Sequence, residues 1–219
     1  HGGTRVNNVM LITLLARFIM KEEIKNWKEL SSEDRQVIII KLTYEFDFGF
    51  KLSYHMPLGH ETDYSYYDEN TNIFSFNYDL IKDDDTLNAL YVLFVEIRKF
   101  MQLKNIDSSS LVQRSLNYEF LYDGTVYTRI DGALIEVNLE GERKYLKQLY
   151  ICAPNTYDYN KFAYDKILSY IGEDETLKAE LDQIYDYWKP TWEFFKEDDM
   201  ERVYLEVFET IDNLAKAKA

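Results

Sequence analysis

Hydrophobic and polar residues follow a helical period over much of the chain, which predicts a largely helical protein. Apolar residues recur every three or four positions over residues 6–30 and 86–103. Residues 31–34 read Ser-Ser-Glu-Asp, a helix-start composition, so we expect a helix from there to about Tyr44. Further helices are predicted over 156–171, 174–188 and 191–218, with a break at Pro190 between the last two.

Two regions alternate apolar and polar residues with the period of two that is typical of β-strands. One is 72–78, and the other is 118–139, where two Asp-Gly pairs predict hairpin turns. Residues 145–151 are expected to add a strand, whereas the Tyr-rich segment 48–70 is expected to be irregular. The order of elements predicts an α+β fold, mostly helical, with a small mixed or antiparallel sheet.

The length of 219 residues and a hydrophobic content of 46% suit a single domain spanning 1–219. We expect a core over 30–171 and a C-terminal helical extension over 172–219. The few glycines and prolines argue against long linkers. Aromatic residues of the extension either complete the core or form a dimer face: Trp188, Trp192, Phe194 and Phe195.

The net charge of −14 disfavours nucleic acid and anionic membranes as partners, and indicates either solubility or an acidic face for a basic partner. The apolar run 9–20 is interrupted by Arg17 and is too short to span a bilayer, so an amphipathic helix is expected there. The single cysteine, Cys152, predicts a reducing, cytoplasmic setting and is expected to be buried. Because phosphate-loop and Cys-pair zinc motifs are missing, no cofactor is expected.

The strongest chemical pattern lies in the helix predicted over 86–103. Zinc peptidases of the HExxH type place two histidines one helical turn apart, so both imidazoles reach the same metal ion. The glutamate after the first histidine acts as general base on the zinc-bound water, and a third ligand, often glutamate, comes from a later helix. Residues 95–102 of this chain read Val-Glu-Ile-Arg-Lys-Phe-Met-Gln.

This segment resembles the His-Glu-(Leu/Ile)-Arg-His-x-x-Gln form of the motif found in small bacterial zincin-like metallopeptidases. The preceding strand pattern at 72–77 fits the resemblance. Residues 154–163, Pro-Asn-Thr-Tyr-Asp-Tyr-Asn-Lys-Phe-Ala, resemble the downstream Pro-x-Glu-x-Asp-Ala-x-x-(Phe/Tyr)-Ala helix of that family. The resemblance covers about residues 30–170, and it implies a zincin-like fold with the sheet packed beside the Glu96 helix.

The three positions of the metal ligands are all altered. Val95 and Lys99 stand where the histidines belong, and Thr156 stands where the glutamate ligand belongs. Valine has no lone pair, an ammonium group repels a dication, and a threonine hydroxyl is a poor zinc ligand. The resemblance therefore implies no metal and no catalytic residue, with Glu96 left at the position of the general base.

The expected function is that of a catalytically inactive metallopeptidase-like protein that binds a peptide or protein in the residual cleft. We expect Val95, Glu96, Lys99 and Thr156 to line this cleft. Glu96 and Lys99 are i, i+3 neighbours, so we further expect the Lys99 ammonium to neutralise the Glu96 carboxylate.

The remaining residues of the motif are expected to form its frame. Arg98 and Gln102 are predicted to hold the helix in place through hydrogen bonds. Asp158 either supports the site behind the ligands or is a surface or N-terminal helix acid, and the sequence favours the second interpretation.

Three alternatives remain open from the sequence. In the first, the motif match is a coincidence in an ordinary amphipathic helix, with Val95 in the core and Glu96 and Lys99 solvated. In the second, the chain is an acidic protein-interaction domain unrelated to peptidases. A third alternative is a hydrolase that uses other metal or acid–base groups. A peptide or sugar groove lined by tyrosines would serve several of these functions. The candidate metal or acid–base residues of the hydrolase are His55, His60, Glu61 and Asp63. The candidate residues of the groove are Tyr64, Tyr66, Tyr67, Tyr157, Tyr159 and Tyr164.

Overall fold

The computed structural model describes residues 3–46, 49–139, 146–186 and 197–219, and within them the chain is α+β. The helices are α1 (Gly3–Lys25), α2 (Ser32–Tyr44), α3 (Asn88–Leu103), α4 (Ser110–Ser115), α5 (Leu146–Ile151), α6 (Pro154–Ile171), α7 (Glu175–Asp186) and α8 (Glu197–Lys218). The strands are β1 (Lys51–Ser53), β2 (Ser65–Asp68), β3 (Ile73–Phe76), β4 (Tyr118–Phe120), β5 (Thr125–Ile130) and β6 (Ala133–Asn138).

The strands form two sheets of three strands each. In the first, β3 is central, with β1 parallel to it and β2 antiparallel to it. The second is an antiparallel meander in the order β4-β5-β6. The β5–β6 turn places both Asp131 and Gly132 at positive φ, 49° and 81°, as a two-residue hairpin turn requires. The structure thus has one small mixed sheet and one antiparallel sheet, whereas the sequence predicts a single small sheet of either kind.

The chain divides into two compact units. Unit 1 comprises residues 1–97 and 163–184, and unit 2 comprises 98–162 and 185–219. Both α3 and α6 cross from one unit to the other, and the predicted extension 172–219 contributes to both units. The predicted aromatic cluster and the break at Pro190 lie outside the described residues.

Unit 1 is built around the N-terminal part of α3. The stripe predicted for this helix is confirmed, because Leu87, Leu90 and Phe94 are at most 1% exposed. Trp27 is buried as well, and its indole N–H donates to the Asp84 carbonyl. Burial of such side chains is the main stabilising contribution, about 1.5–3 kcal/mol for each large one.

Unit 2 packs its antiparallel sheet and α5 with α8. Tyr118 of β4 stacks on Phe208 of α8, with ring centroids 4.5 Å apart. The buried Tyr204 hydroxyl donates to the Leu149 carbonyl of α5 at 2.7 Å. The described part of the segment 145–151, which was predicted as a strand, is the helix α5, and residue 145 lies outside the described residues. Leu149, Ile151 and Cys152 are all buried, and this spacing does not fit one face of a strand.

Two further differences from the sequence prediction concern short elements. The segment 48–70 is predicted to be irregular but contains the short strands β1 and β2, of three and four residues. Both strands form their hydrogen bonds with β3. The sequence also did not predict α4, which Ser109 caps by accepting from the Val112 N–H. Among the described residues, none of the helices is long and apolar enough to cross a membrane.

The predicted start of α2 is confirmed, because the Ser31 side chain accepts a hydrogen bond from the Asp34 N–H at 3.1 Å. Ser31→Ala should lower the free energy of unfolding by about 1 kcal/mol, since the Asp34 N–H at the helix end loses this acceptor. Ser32→Ala, one residue later, is the matched control and should change stability by less than half as much. Urea denaturation of both variants measures this difference, and equal losses would contradict the capping role.

Candidate functional site

Glu96 is a buried carboxylate on the unit 1 side of α3. Its side chain is 7% exposed, although acidic residues are seldom buried without a partner. The Ser65 hydroxyl donates to Glu96 Oε2 at 2.5 Å. The residue at the general-base position is thus a hydrogen-bond acceptor held by the first residue of β2.

Ser65 also lies at an outer edge of the first sheet. The Asn77 N–H donates to the Tyr64 carbonyl at 2.8 Å, which makes these two residues a hydrogen-bonded pair. Because hydrogen-bonded and non-hydrogen-bonded pairs alternate in an antiparallel ladder, the N–H and C=O of Ser65 point away from β3. One residue therefore presents its hydroxyl to Glu96 and its backbone to the sheet edge.

Arg98 and Asp158 form a buried ion pair within unit 2. Arg98 Nε lies 2.7 Å from Asp158 Oδ2, and a second guanidinium nitrogen lies 3.0 Å from Oδ1, so the contact is bidentate. The Arg98 side chain is 8% exposed and that of Asp158 is 24% exposed. Bidentate, charge-assisted pairs of this kind are among the stronger polar contacts.

Gln102 completes this frame. Its amide nitrogen donates to Asp158 Oδ2 at 2.7 Å and to the Asn155 carbonyl at 3.0 Å. Arg98 and Gln102 thus act through hydrogen bonds, as the sequence predicts. Asp158 lies in the N-terminal part of α6, as the second interpretation has it, but it is not a surface acid, because its carboxylate accepts three hydrogen bonds from α3 and is mostly buried.

Two residues that the resemblance aligns with metal ligands lie beside one tyrosine in unit 2. The Lys99 ammonium lies 4.9 Å from the centroid of the Tyr159 ring, a cation–π distance. The Tyr159 hydroxyl is 3.3 Å from the Thr156 hydroxyl, to which it donates. Val95 is half-buried one helical turn before Lys99 on α3. The expected neutralisation of Glu96 by Lys99 stays a prediction.

The histidine loop is held by local hydrogen bonds. His60 Nδ1 lies 2.8 Å from Asp63 Oδ2, and the His60 ring packs on Tyr66 with centroids 3.9 Å apart. Hydrogen bonds from backbone N–H groups, its own and that of Gly59, lower the pKa of Glu61. Within the described ranges, no three His, Cys, Asp or Glu side chains are grouped to hold a metal ion. A metal site using His55, His60 and Glu61 is therefore not found there.

Cys152 is fully buried, as predicted. Burial raises the pKa of its thiol to about 12. Since the thiolate is the nucleophilic form, this cysteine is unreactive at neutral pH.

The tyrosines named as a candidate groove are distributed over several places. Tyr66 and Tyr67 belong to β2, and Tyr64 precedes them, with 44% of its surface exposed. Tyr157 packs against the core of unit 2. The hydroxyl of Tyr164 donates to Asp182 within unit 1.

Sequence reasoning missed Ser65, although it is the partner of Glu96. The two residues are 31 positions apart, and a serine in a Tyr-rich segment carries no local signal of that contact. No protein-family model, curated protein or solved structure matches this chain.

Proposed function

We propose that this chain is a zincin-like protein that has lost its metal and binds an extended peptide segment without cleaving it. The observation that carries the proposal is the Lys99 ammonium 4.9 Å from the centroid of the Tyr159 ring, at a residue that the resemblance aligns with a zinc ligand. An ammonium group there opposes zinc binding by charge and supplies no lone pair. Glu96, in turn, accepts a hydrogen bond from the Ser65 hydroxyl and, without a bound metal ion, would have no activated water on which to act as base.

The frame behind the altered ligands supports the same proposal. Arg98, Gln102 and Asp158 are among the residues that match the family motifs outside the ligand positions, and both Arg98 and Gln102 donate hydrogen bonds to Asp158. If the motif match were a coincidence, contact among these three residues would not be expected. Retention of the frame without the ligands is what a binding protein derived from a peptidase requires.

The outer edge of β2 is the proposed peptide-binding surface. An extended segment that pairs with this edge would receive main-chain hydrogen bonds from Ser65, beside Glu96. Sheet edges bind strands of other chains because their outer N–H and C=O groups are oriented for pairing. Main-chain pairing is tolerant of sequence, so the exposed Tyr64 beside the edge would contribute side-chain contacts.

A pair of substitutions at Ser65 tests this surface. Ser65→Pro removes both the hydroxyl and the outward N–H, whereas Ser65→Ala removes the hydroxyl alone. Proline is tolerated at the first residue of an edge strand, so β2 should persist. Binding is measured as retention of a random library of unstructured octapeptides on immobilised protein, and mass spectrometry shows whether the eluted peptides are intact.

We expect the wild type and Ser65→Ala to retain intact peptides and Ser65→Pro to retain at least about tenfold less, since main-chain pairing is lost. Equal retention by Ser65→Pro and Ser65→Ala would contradict binding at this edge. New peptide termini in the wild-type eluate that appear at the rate of an enzymatic reaction would contradict the loss of catalysis.

A further inference from the structure

The middle of α1 exposes an apolar face. Leu11, Leu14, Leu15, Phe18 and Ile19 are each between 47% and 66% exposed. Their spacing of i, i+3, i+4, i+7 and i+8 places them on one side of the helix. Monomeric proteins seldom expose apolar faces of this extent, and those that occur mark binding surfaces.

A groove lies beside this face, within unit 1. Its volume is about 470 Å³, which is in the range of small-molecule sites. One wall is α1, with the apolar Leu14 and Phe18, and the other is the C-terminal half of α6, with Ser169 and Tyr170. Apolar side chains thus line part of the groove and hydroxyl groups line another part.

The charge of the groove differs in sign from that of the whole chain. Arg17 and Lys21, one turn apart on α1, line it together with Lys166 of α6. Neither Arg17 nor Lys21 forms an ion pair with any acidic side chain in the described part of the chain. Two adjacent cations without acidic partners are unusual in a chain of net charge −14, and they favour an anionic ligand.

One carboxylate, that of Glu45, also faces the groove. Its Oε2 accepts a hydrogen bond from the Tyr170 hydroxyl at 2.7 Å. Burial, and then the Glu45 carboxylate, raise the pKa of Tyr170, so this hydroxyl keeps its proton and continues to donate. Arg17 and Lys21 therefore share the groove with one carboxylate that already has a donor, whereas the Lys166 ammonium lies 5.1 Å from the centroid of the Phe46 ring.

We propose that this groove binds a single-chain amphiphile with an anionic head group, of which a fatty acid is the simplest example. The head group would contact Arg17, Lys21 and Lys166, and the alkyl chain would lie along Leu14 and Phe18. A free amphiphile fits better than a membrane surface, because these groups line a concave groove and the acidic chain is repelled by anionic bilayers. This site is independent of the proposed peptide edge.

The test is calorimetric titration of the full chain with laurate below its micelle concentration, alongside the neutral dodecyl maltoside. We expect one laurate per chain, and weaker binding of the neutral compound. Arg17→Gln/Lys21→Gln should bind laurate at least about tenfold more weakly, since two charge-assisted contacts are lost. Phe18→Ser should weaken the binding of both laurate and dodecyl maltoside, because it removes apolar contact rather than charge.

The matched control is Lys82→Gln/Arg202→Gln, which lowers the net charge by the same amount at exposed ion pairs outside the groove. It should bind laurate like the wild type, and circular dichroism verifies that all variants are folded. An equal loss in the control, no laurate binding by the wild type, or equal affinity for the neutral compound would overturn the proposal. Binding of phosphatidylglycerol vesicles without binding of free laurate would overturn it as well and assign the α1 face to membranes.

Discussion

Replacement of Asp158 by alanine should destabilise the protein by about 3 kcal/mol, the low end of the cost of breaking a buried ion pair. Arg98, whose side chain is 8% exposed, would keep its charge without this carboxylate. Gln102 would lose one of its two acceptors at the same time. We take the low end because the Asp158 side chain is 24% exposed, so water can partly replace it.

Urea denaturation with linear extrapolation measures this loss. Glu173→Ala removes an exposed carboxylate that follows α6 and should change stability by less than about 0.5 kcal/mol. The double variant Arg98→Met/Asp158→Leu should lose less free energy of unfolding than Asp158→Ala alone, because it leaves no buried charge unpaired. A loss for Asp158→Ala no larger than that for Glu173→Ala would contradict a structural role for the frame.

The parts of the fold that the sequence predicts well are those specified by local patterns. The start of α2 follows from the Ser31 cap, and the buried stripe of α3 follows from its helical spacing. The turn at Asp131-Gly132 follows from the need for positive φ at both residues. The strands β1 and β2 escaped prediction because their hydrogen bonds are made with β3, which no local pattern encodes.

The candidate site divides in the same way. Arg98 and Gln102 were predicted to form hydrogen bonds because a motif within one helix names them. The role of Asp158 was misjudged because it depends on a contact 60 residues away in sequence. The groove of α1 requires α6 to lie beside it, so the hydrophobic pattern of either helix alone does not reveal it.

Restoring the three altered positions should create a zinc site. We expect Val95→His/Lys99→His/Thr156→Glu to bind one zinc ion per chain with micromolar or tighter affinity, about 8 kcal/mol of binding free energy. The two histidines would be one turn apart on α3, and the substitution of Lys99 would also remove an ammonium group that repels the ion. Lys99 and Thr156 both approach Tyr159, which supports their use as ligand positions for one metal.

The matched control keeps the same new side chains but separates the histidines. Val95→His/Lys104→His/Thr156→Glu places the second histidine nine residues after the first, at an exposed position one residue beyond the end of α3. Nine residues at the helical period also turn it to the opposite side from residue 95. One metal ion cannot reach both imidazoles in that arrangement. If the control bound zinc as tightly as the restored variant, added histidines at any position would suffice for zinc binding, and the result would not support a site at residues 95, 99 and 156.

The most direct test of the proposed origin of this chain is the calorimetric zinc titration of the restored variant beside the wild type. We expect one tightly bound zinc ion per restored chain and no stoichiometric zinc in the wild type. No zinc binding by a folded restored variant would contradict the metallopeptidase-like frame. One tightly bound zinc ion in the wild type would contradict the loss of the metal site.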